Sequence, residues 1–140
     1  MTKTLFVTVG STRFDALISI IDTDEFVNIA KEKGFGKIVA QIGNHGQEIK
    51  VLTDYVKYAK SAEMGTYFSS ADAVIGHAGA GTIMEVLQRG KPLMVVVNDS
   101  LMDNHQTQLA RAFKERNLLE LSMVSDFLEN FQKCEFVPHK

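Results

Sequence analysis

The sequence predicts an α/β fold, a Rossmann-like parallel sheet flanked by helices, and three observations predict it. Thr4 to Val9, Lys37 to Ile42, Ala73 to Gly76 and Leu93 to Val97 are β-rich and continuous rather than alternating in their apolar residues, as strands covered on both faces are. Between them, apolar residues return at helical spacing. The loops after these runs, Gly10 to Arg13, Gly43 to Gly46, His77 to Thr82 and Asn98 to Gln106, hold most of the chain's Gly, Asn and His punctuation. Ligands gather at that end of an open parallel sheet.

Taken in order, the first strand stops at Gly10, and Phe14, Leu17, Ile18 and Ile21 stand at i, i+3, i+4 and i+7 of the first helix. Asp22-Thr23-Asp24 follows, between two helices. It spells the acid-x-acid pattern of metal-dependent sugar transferases, but its place is the sheet edge opposite the ligand loops, and Asp22 with Glu25 reads better as a helix-start signal. The polar loop Asn44 to Gln47 leads from the second strand toward its helix, and Val56 to Ala59 is a candidate short strand. Met64, Tyr67, Phe68 and Ala71 predict the next helix, Leu109, Ala112 and Phe113 another, and Val124, Phe127, Leu128 and Phe131 the last. With Leu118 to Leu121 as a further strand, five or six strands alternate strictly with helices.

At 140 residues and 45% hydrophobic, the chain fits one globular unit spanning residues 1–140, with no linker that would divide it. A net charge of −2 leaves no footprint for nucleic acid or an anionic membrane. Cys134, the single cysteine, excludes an internal disulfide and a cysteine zinc site. Leu5 to Val9 is too short for a signal-peptide core and Pro92 to Val97 too short for a membrane span, so the chain is expected to be soluble and cytoplasmic.

The chemistry concentrates in AVIGHAGAGTIMEV, Ala73 to Val86: a strand, a His, a small-residue turn and a helix carrying an acid. Gly79 and Gly81 allow close backbone approach, and the helix that follows aims unpaired N–H groups and partial positive charge at the same spot, which suits a phosphate or diphosphate. His77 is placed to donate to a phosphate oxygen, if the diphosphate keeps it protonated; the plainer reading is a packed histidine at a strand end. Glu85 suits the two hydroxyls of a ribose, or merely gains from the helix dipole. Gly10-Ser11-Thr12 is either a second phosphate cradle or an ordinary capped turn, and its lone glycine is not the dinucleotide fingerprint. In DSLMDNHQTQ, Asp103, Asn104, His105 and Gln106 suit a polyhydroxyl ligand, with an N-cap as the competing role for Asp103 or Asn104. No carboxylate or histidine pair has metal spacing, so neither a catalytic metal nor a cofactor is expected.

FVTVGSTRFDALI and ADAVIGHAGAGTIMEVLQRGKPLMVVVNDSLMDNHQTQLA together resemble the donor-binding half of family 28 glycosyltransferases of the GT-B fold, and among them the small catalytic subunits of two-part UDP-GlcNAc transferases of the dolichol pathway. The resemblance runs from Thr4 to Phe113. It implies that Gly10, Ser11 and Thr12 form one turn facing the diphosphate, that His77, Gly79, Ala80, Gly81 and Thr82 form the other, and that Glu85 holds the uridine ribose. His105 and Gln106 take the place of residues that bind the transferred sugar, where the bacterial relative has two glutamines; Lys60 or Ser61 would lie beside the uracil.

The resemblance also implies the ligands and partners. These are UDP-GlcNAc, a lipid-linked GlcNAc acceptor and a membrane-anchored subunit that supplies the acceptor half and recruits this chain to the cytosolic face of the endoplasmic reticulum. A general base is required for the acceptor hydroxyl; His105, His45 and a group on the partner are the candidates. The same residues would also serve a UDP-sugar-binding regulatory module without turnover, or a transferase for another sugar or lipid acceptor. The apolar face of Val124 to Phe131 either covers the sheet or, as in the resembled family, helps dock the partner, in which case deleting Val124 to Lys140 would leave a folded remainder.

Overall fold

Strand β1, Lys3–Thr8, lies at the centre of the sheet because both of its faces are covered: Leu5, Val7 and Val9 enter one apolar cluster and Phe6 the other, each at most 1% exposed. This computed structural model describes residues 2–10, 13–43, 46–97 and 104–136, and the side chains of residues 61 and 104–107 are outside the description. From β1 the chain runs through α1 (Asp15–Ile21) and α2 (Asp24–Glu32) to β2 (Phe35–Gln41) and the short β3 (Asp54–Val56). It returns through α3 (Ser61–Ser70) to β4 (Ala73–His77), then α4 (Ala80–Gln88), β5 (Leu93–Val97), α5 (Asn104–Glu115), β6 (Glu120–Met123), a single 3₁₀ turn (Val124–Asp126) and α6 (Phe127–Lys133).

The strands form a 6-stranded sheet in the order β3-β2-β1-β4-β5-β6, and every neighbouring pair is parallel. The Rossmann-like expectation is met. Because the chain moves outward from β1 in one direction and then returns to β4 on its other side, the order reverses between β1 and β4. A crevice opens outside the carboxyl ends of strands at such a reversal. Helices α1, α2 and α6 supply the cluster on one face through Leu17, Phe26 and Phe131, while α3, α4 and α5 supply the other through Phe68, Ile83 and Ala110.

Two local expectations are corrected. No helix forms among the described residues 46–53, so the alternation of strands and helices is broken between β2 and β3. The backbone there is held from a distance, by the Asp22 carboxylate, which accepts from the N–H groups of Lys50 (2.8 Å), Val51 (2.7 Å) and Leu52 (2.9 Å). Asp22 is therefore not the helix-start residue that its neighbourhood suggests. Thr23 caps α2 by accepting from the Phe26 N–H at 3.2 Å. Three amides without a helix need an acceptor, and one carboxylate provides it. Asp22→Ala is expected to lower stability by about 2 kcal/mol in urea unfolding, with Asp22→Asn losing less.

The second correction concerns boundaries. The strand expected at Val56 to Ala59 lies earlier, ending at Val56, and the one expected at Leu118 to Leu121 lies later, ending at Met123. Tyr58 and Ala59 leave the sheet to build a wall of the crevice. The C-terminal helix covers the sheet: Phe127 and Phe131 are fully buried, with ring centroids 5.8 and 4.8 Å from that of Phe26. Among the described residues no helix is long and apolar enough to cross a membrane.

Candidate functional site

The crevice at the carboxyl ends of β1 and β4 is a cleft of about 390 Å³. Gly10 and Gln41 lie on its β1–β2 side, Tyr58, Met64 and Phe68 make an apolar wall, and Gly81, Thr82 and Glu85 of α4 face them. An apolar wall opposite an uncapped helix start suits a ligand with a flat ring at one end and an anion at the other.

Helix α4 begins at Ala80, and among the described residues no side chain caps its N-terminus. Its first-turn N–H groups and the positive end of its dipole are therefore presented to the cleft. Among the described residues, a Cβ on Gly81 would meet nothing within 4 Å. This is the glycine that leaves room for a ligand.

Gly10 and Gly79 leave room for something else. A Cβ on Gly79 would stand 2.3 Å from Nε2 of His77, and one on Gly10 2.7 Å from Cε1, so the imidazole occupies the volume that both glycines vacate. Gly10 also needs its glycine for a φ of +63°. Its N–H, expected to face phosphate, instead donates to Thr8 Oγ1 at 3.2 Å. Ser11 and Thr12 lie outside the described residues.

His77 is held with its Nδ1 buried and without a hydrogen-bond partner. Burial lowers its pKa below the ordinary value, while the Thr8 backbone pulls weakly upward. The ring is thus biased toward neutrality until an anion arrives. Binding of UDP is expected to draw a proton onto His77, so affinity should rise as pH falls through the window between the free and bound pKa values. Calorimetry in buffers of different ionisation heat measures this uptake. Stability of the unliganded protein moves the other way: the unfolded chain takes up a proton near its ordinary ~6.5, the folded ring resists it, and stability falls as pH drops below that value.

Glu85 lies beyond the first turn of α4, so the dipole reading for it is weak. What orients it is Arg89, one turn on, which pairs with its carboxylate. Arg89 is itself anchored by Ser69 Oγ at 3.3 Å and lies 5.8 Å from the Phe68 ring centroid, so Glu85 is fixed at the cleft rim with about half of its side chain exposed. Asn104, His105 and Gln106 open α5, directly after β5, but their side chains are outside the description, as are Asp103 and His45. Lys60 is the N-cap residue of α3 and does not line the cleft; the residues before it, Tyr58 and Ala59, do.

Sequence reasoning missed Gln41, Tyr58 and the cleft roles of Met64 and Phe68. Gln41 carried a signal, being an amide inside an otherwise apolar strand, where a buried polar group needs dedicated partners. Tyr58, 60% exposed, was read as part of a strand. Among the described residues no group of three His, Cys, Asp or Glu gathers as a metal site.

Residues 4–136 match the model of the glycosyltransferase family 28 C-terminal domain. The chain belongs to this family. A curated family 28 relative, UDP-N-acetylglucosamine transferase subunit ALG13 of Mus musculus, is 40% identical over 115 residues, which cover 78% of this chain and 10% of the relative. The chain thus spans about a tenth of the length of the mouse and human relatives that it matches. The NMR solution structure of ALG13 superposes with a TM-score of 0.70 at 27% identity, covering 98% of this chain and 89% of that one. The crystal structure of the glycosyltransferase SnogD from Streptomyces nogalater shares the fold, with a TM-score of 0.60 at 21% identity over 88% of this chain and 32% of its own.

Proposed function

We propose that this chain is the donor-binding, catalytic subunit of a two-part UDP-GlcNAc transferase. It passes GlcNAc from UDP-GlcNAc to dolichyl-diphosphate-GlcNAc on the cytosolic face of the endoplasmic reticulum, with a membrane-anchored subunit supplying the acceptor half. The observation that carries this reading is the uncapped start of α4 facing an apolar wall across one cleft, in a chain whose relatives are named as UDP-GlcNAc transferase subunits.

The acceptor O4 attacks the anomeric carbon as the bond to the β-phosphate oxygen breaks; UDP leaves with the electron pair and the configuration inverts. Negative charge that grows on the β-phosphate meets the α4 amides and His77, which are already in place before the reaction. Glu85 accepts the ribose hydroxyls, Asn104 and Gln106 take the sugar, and the acceptor proton passes to His105, His45 or a group of the partner.

Radiolabelled UDP-GlcNAc supplied with lipid-linked GlcNAc, with and without a membrane fraction containing the partner, tests this. A second sugar on the lipid is the expected product when the membrane fraction is present. UDP-GlcNAc binding with no such product would make the chain a UDP-sugar-binding module instead.

A further inference from the structure

Gln41 is the last residue of β2 and lines the cleft. Pairing of β1 with β2 ends at Thr8 and Gln41, and pairing of β2 with β3 ends at Gln41 and Val56. Beyond them backbone bonds continue a little further, from the Val9 N–H to the Gln41 carbonyl at 3.3 Å and from the Ile42 and Gly43 N–H groups to the Val56 and Lys57 carbonyls at 2.8 and 2.9 Å, before the chain reaches Gly10 and Tyr58 of the cleft.

The Gln41 side chain, 2% exposed, ties the segment after β1 to the segment after β3 directly, across the backbone ladder. Its Nε2 donates to the Gly10 carbonyl at 2.7 Å and to the Lys57 carbonyl at 2.8 Å, and its Oε1 accepts from the Thr8 hydroxyl at 2.6 Å. The Thr8 oxygen in turn accepts the Gly10 N–H. Two carbonyls, of which that of Lys57 also accepts the Gly43 N–H, and one hydroxyl are matched by a primary amide, which carries two N–H groups and one oxygen.

We propose that Gln41 is a positioning residue, whose amide locks the Gly10 turn to the Lys57–Tyr58 segment so that the diphosphate side and the ring side of the cleft are preset together. This rests on the UDP-sugar reading of the same cleft. Gly10 in turn supports His77, so the amide also fixes one of the two surfaces against which the imidazole packs.

Two variants test it by calorimetric titration with UDP, alongside circular dichroism and thermal melting. Gln41→Leu removes one donor each from the Gly10 and Lys57 carbonyls and the acceptor of the Thr8 O–H, and is expected to bind UDP about tenfold more weakly at every pH. Gln41→Glu places a carboxylate against two carbonyls at about pH 8 and should bind as poorly as the leucine variant, but burial favours its protonated form as pH falls. A protonated carboxyl donates one of the two lost bonds, so at about pH 5.5 its affinity should recover to about a third of the native protein's at that pH. That recovery, absent from Gln41→Leu, is the signature of positioning.

If the folded variants bind UDP as the native protein does, or if the glutamate variant shows no recovery, Gln41 is a structural residue only. If both variants are unfolded, the role is likewise structural and the proposal fails. If the native protein binds no UDP, the donor-site reading itself is wrong, a separate outcome visible before any variant is made.

Discussion

Gly79→Ala is expected to lose nearly all transferase turnover while keeping its secondary structure. The new methyl would stand 2.3 Å from Nε2 of His77, far inside contact distance. The imidazole is therefore forced out of its slot at the end of β4. The strain should cost about 1–3 kcal/mol of stability. On the proposed role of His77 as donor to the leaving phosphate, its displacement should lower kcat by on the order of 100-fold.

Gly81→Ala provides the contrast, because its methyl enters open space and it sits in a helix, where alanine is favoured by about 0.5 kcal/mol or more. That variant should melt no lower than the native protein yet bind UDP more weakly. Steady-state kinetics and thermal melting of the pair decide the matter. A Gly79→Ala protein with native kcat would mean that His77 does not serve the reaction from this position.

The second large effect lies far from the cleft. Phe131→Ala should destabilise the protein by about 3–5 kcal/mol, because the ring is fully buried and packed against Phe26, Phe127 and Phe136. Folded proteins of this size hold only about 5–15 kcal/mol in all. Deleting Val124 to Lys140 removes Phe127 as well, and is expected to unfold the chain rather than merely detach it from a partner. Urea unfolding of Phe131→Ala and the solubility of the truncated chain give the measurement. A cooperative, folded truncation product would return α6 to the role of a docking surface.

The central sheet was legible because a parallel strand buried on both faces writes itself as an unbroken apolar run, and the α4 turn because glycines after such a run have few other uses. What escaped depended on contacts between distant residues. A helix was expected between the second strand and the next, but among residues 46–53 the amides of Lys50, Val51 and Leu52 bond to Asp22, brought from the end of α1, and that of Gly46 to Asp15.

Gln41 escaped because its partners come from β1 and from the segment after β3. The glycines at 10 and 79 were recognised, but the space that they create was assigned to the ligand, when the nearest occupant is the His77 ring. Spacing along the chain reports that room is needed. It does not report which neighbour takes it.

The central claim is that the start of α4 and the His77 slot together receive the diphosphate of a UDP-sugar. An NMR titration of the amide resonances with UDP-GlcNAc tests it most directly. Saturable shifts at Ala80, Gly81 and Thr82, with His77 ring signals moving toward the protonated form and smaller changes when uridine replaces the nucleotide sugar, are the predicted result. Saturable binding that leaves those three amides and the ring unmoved would contradict it.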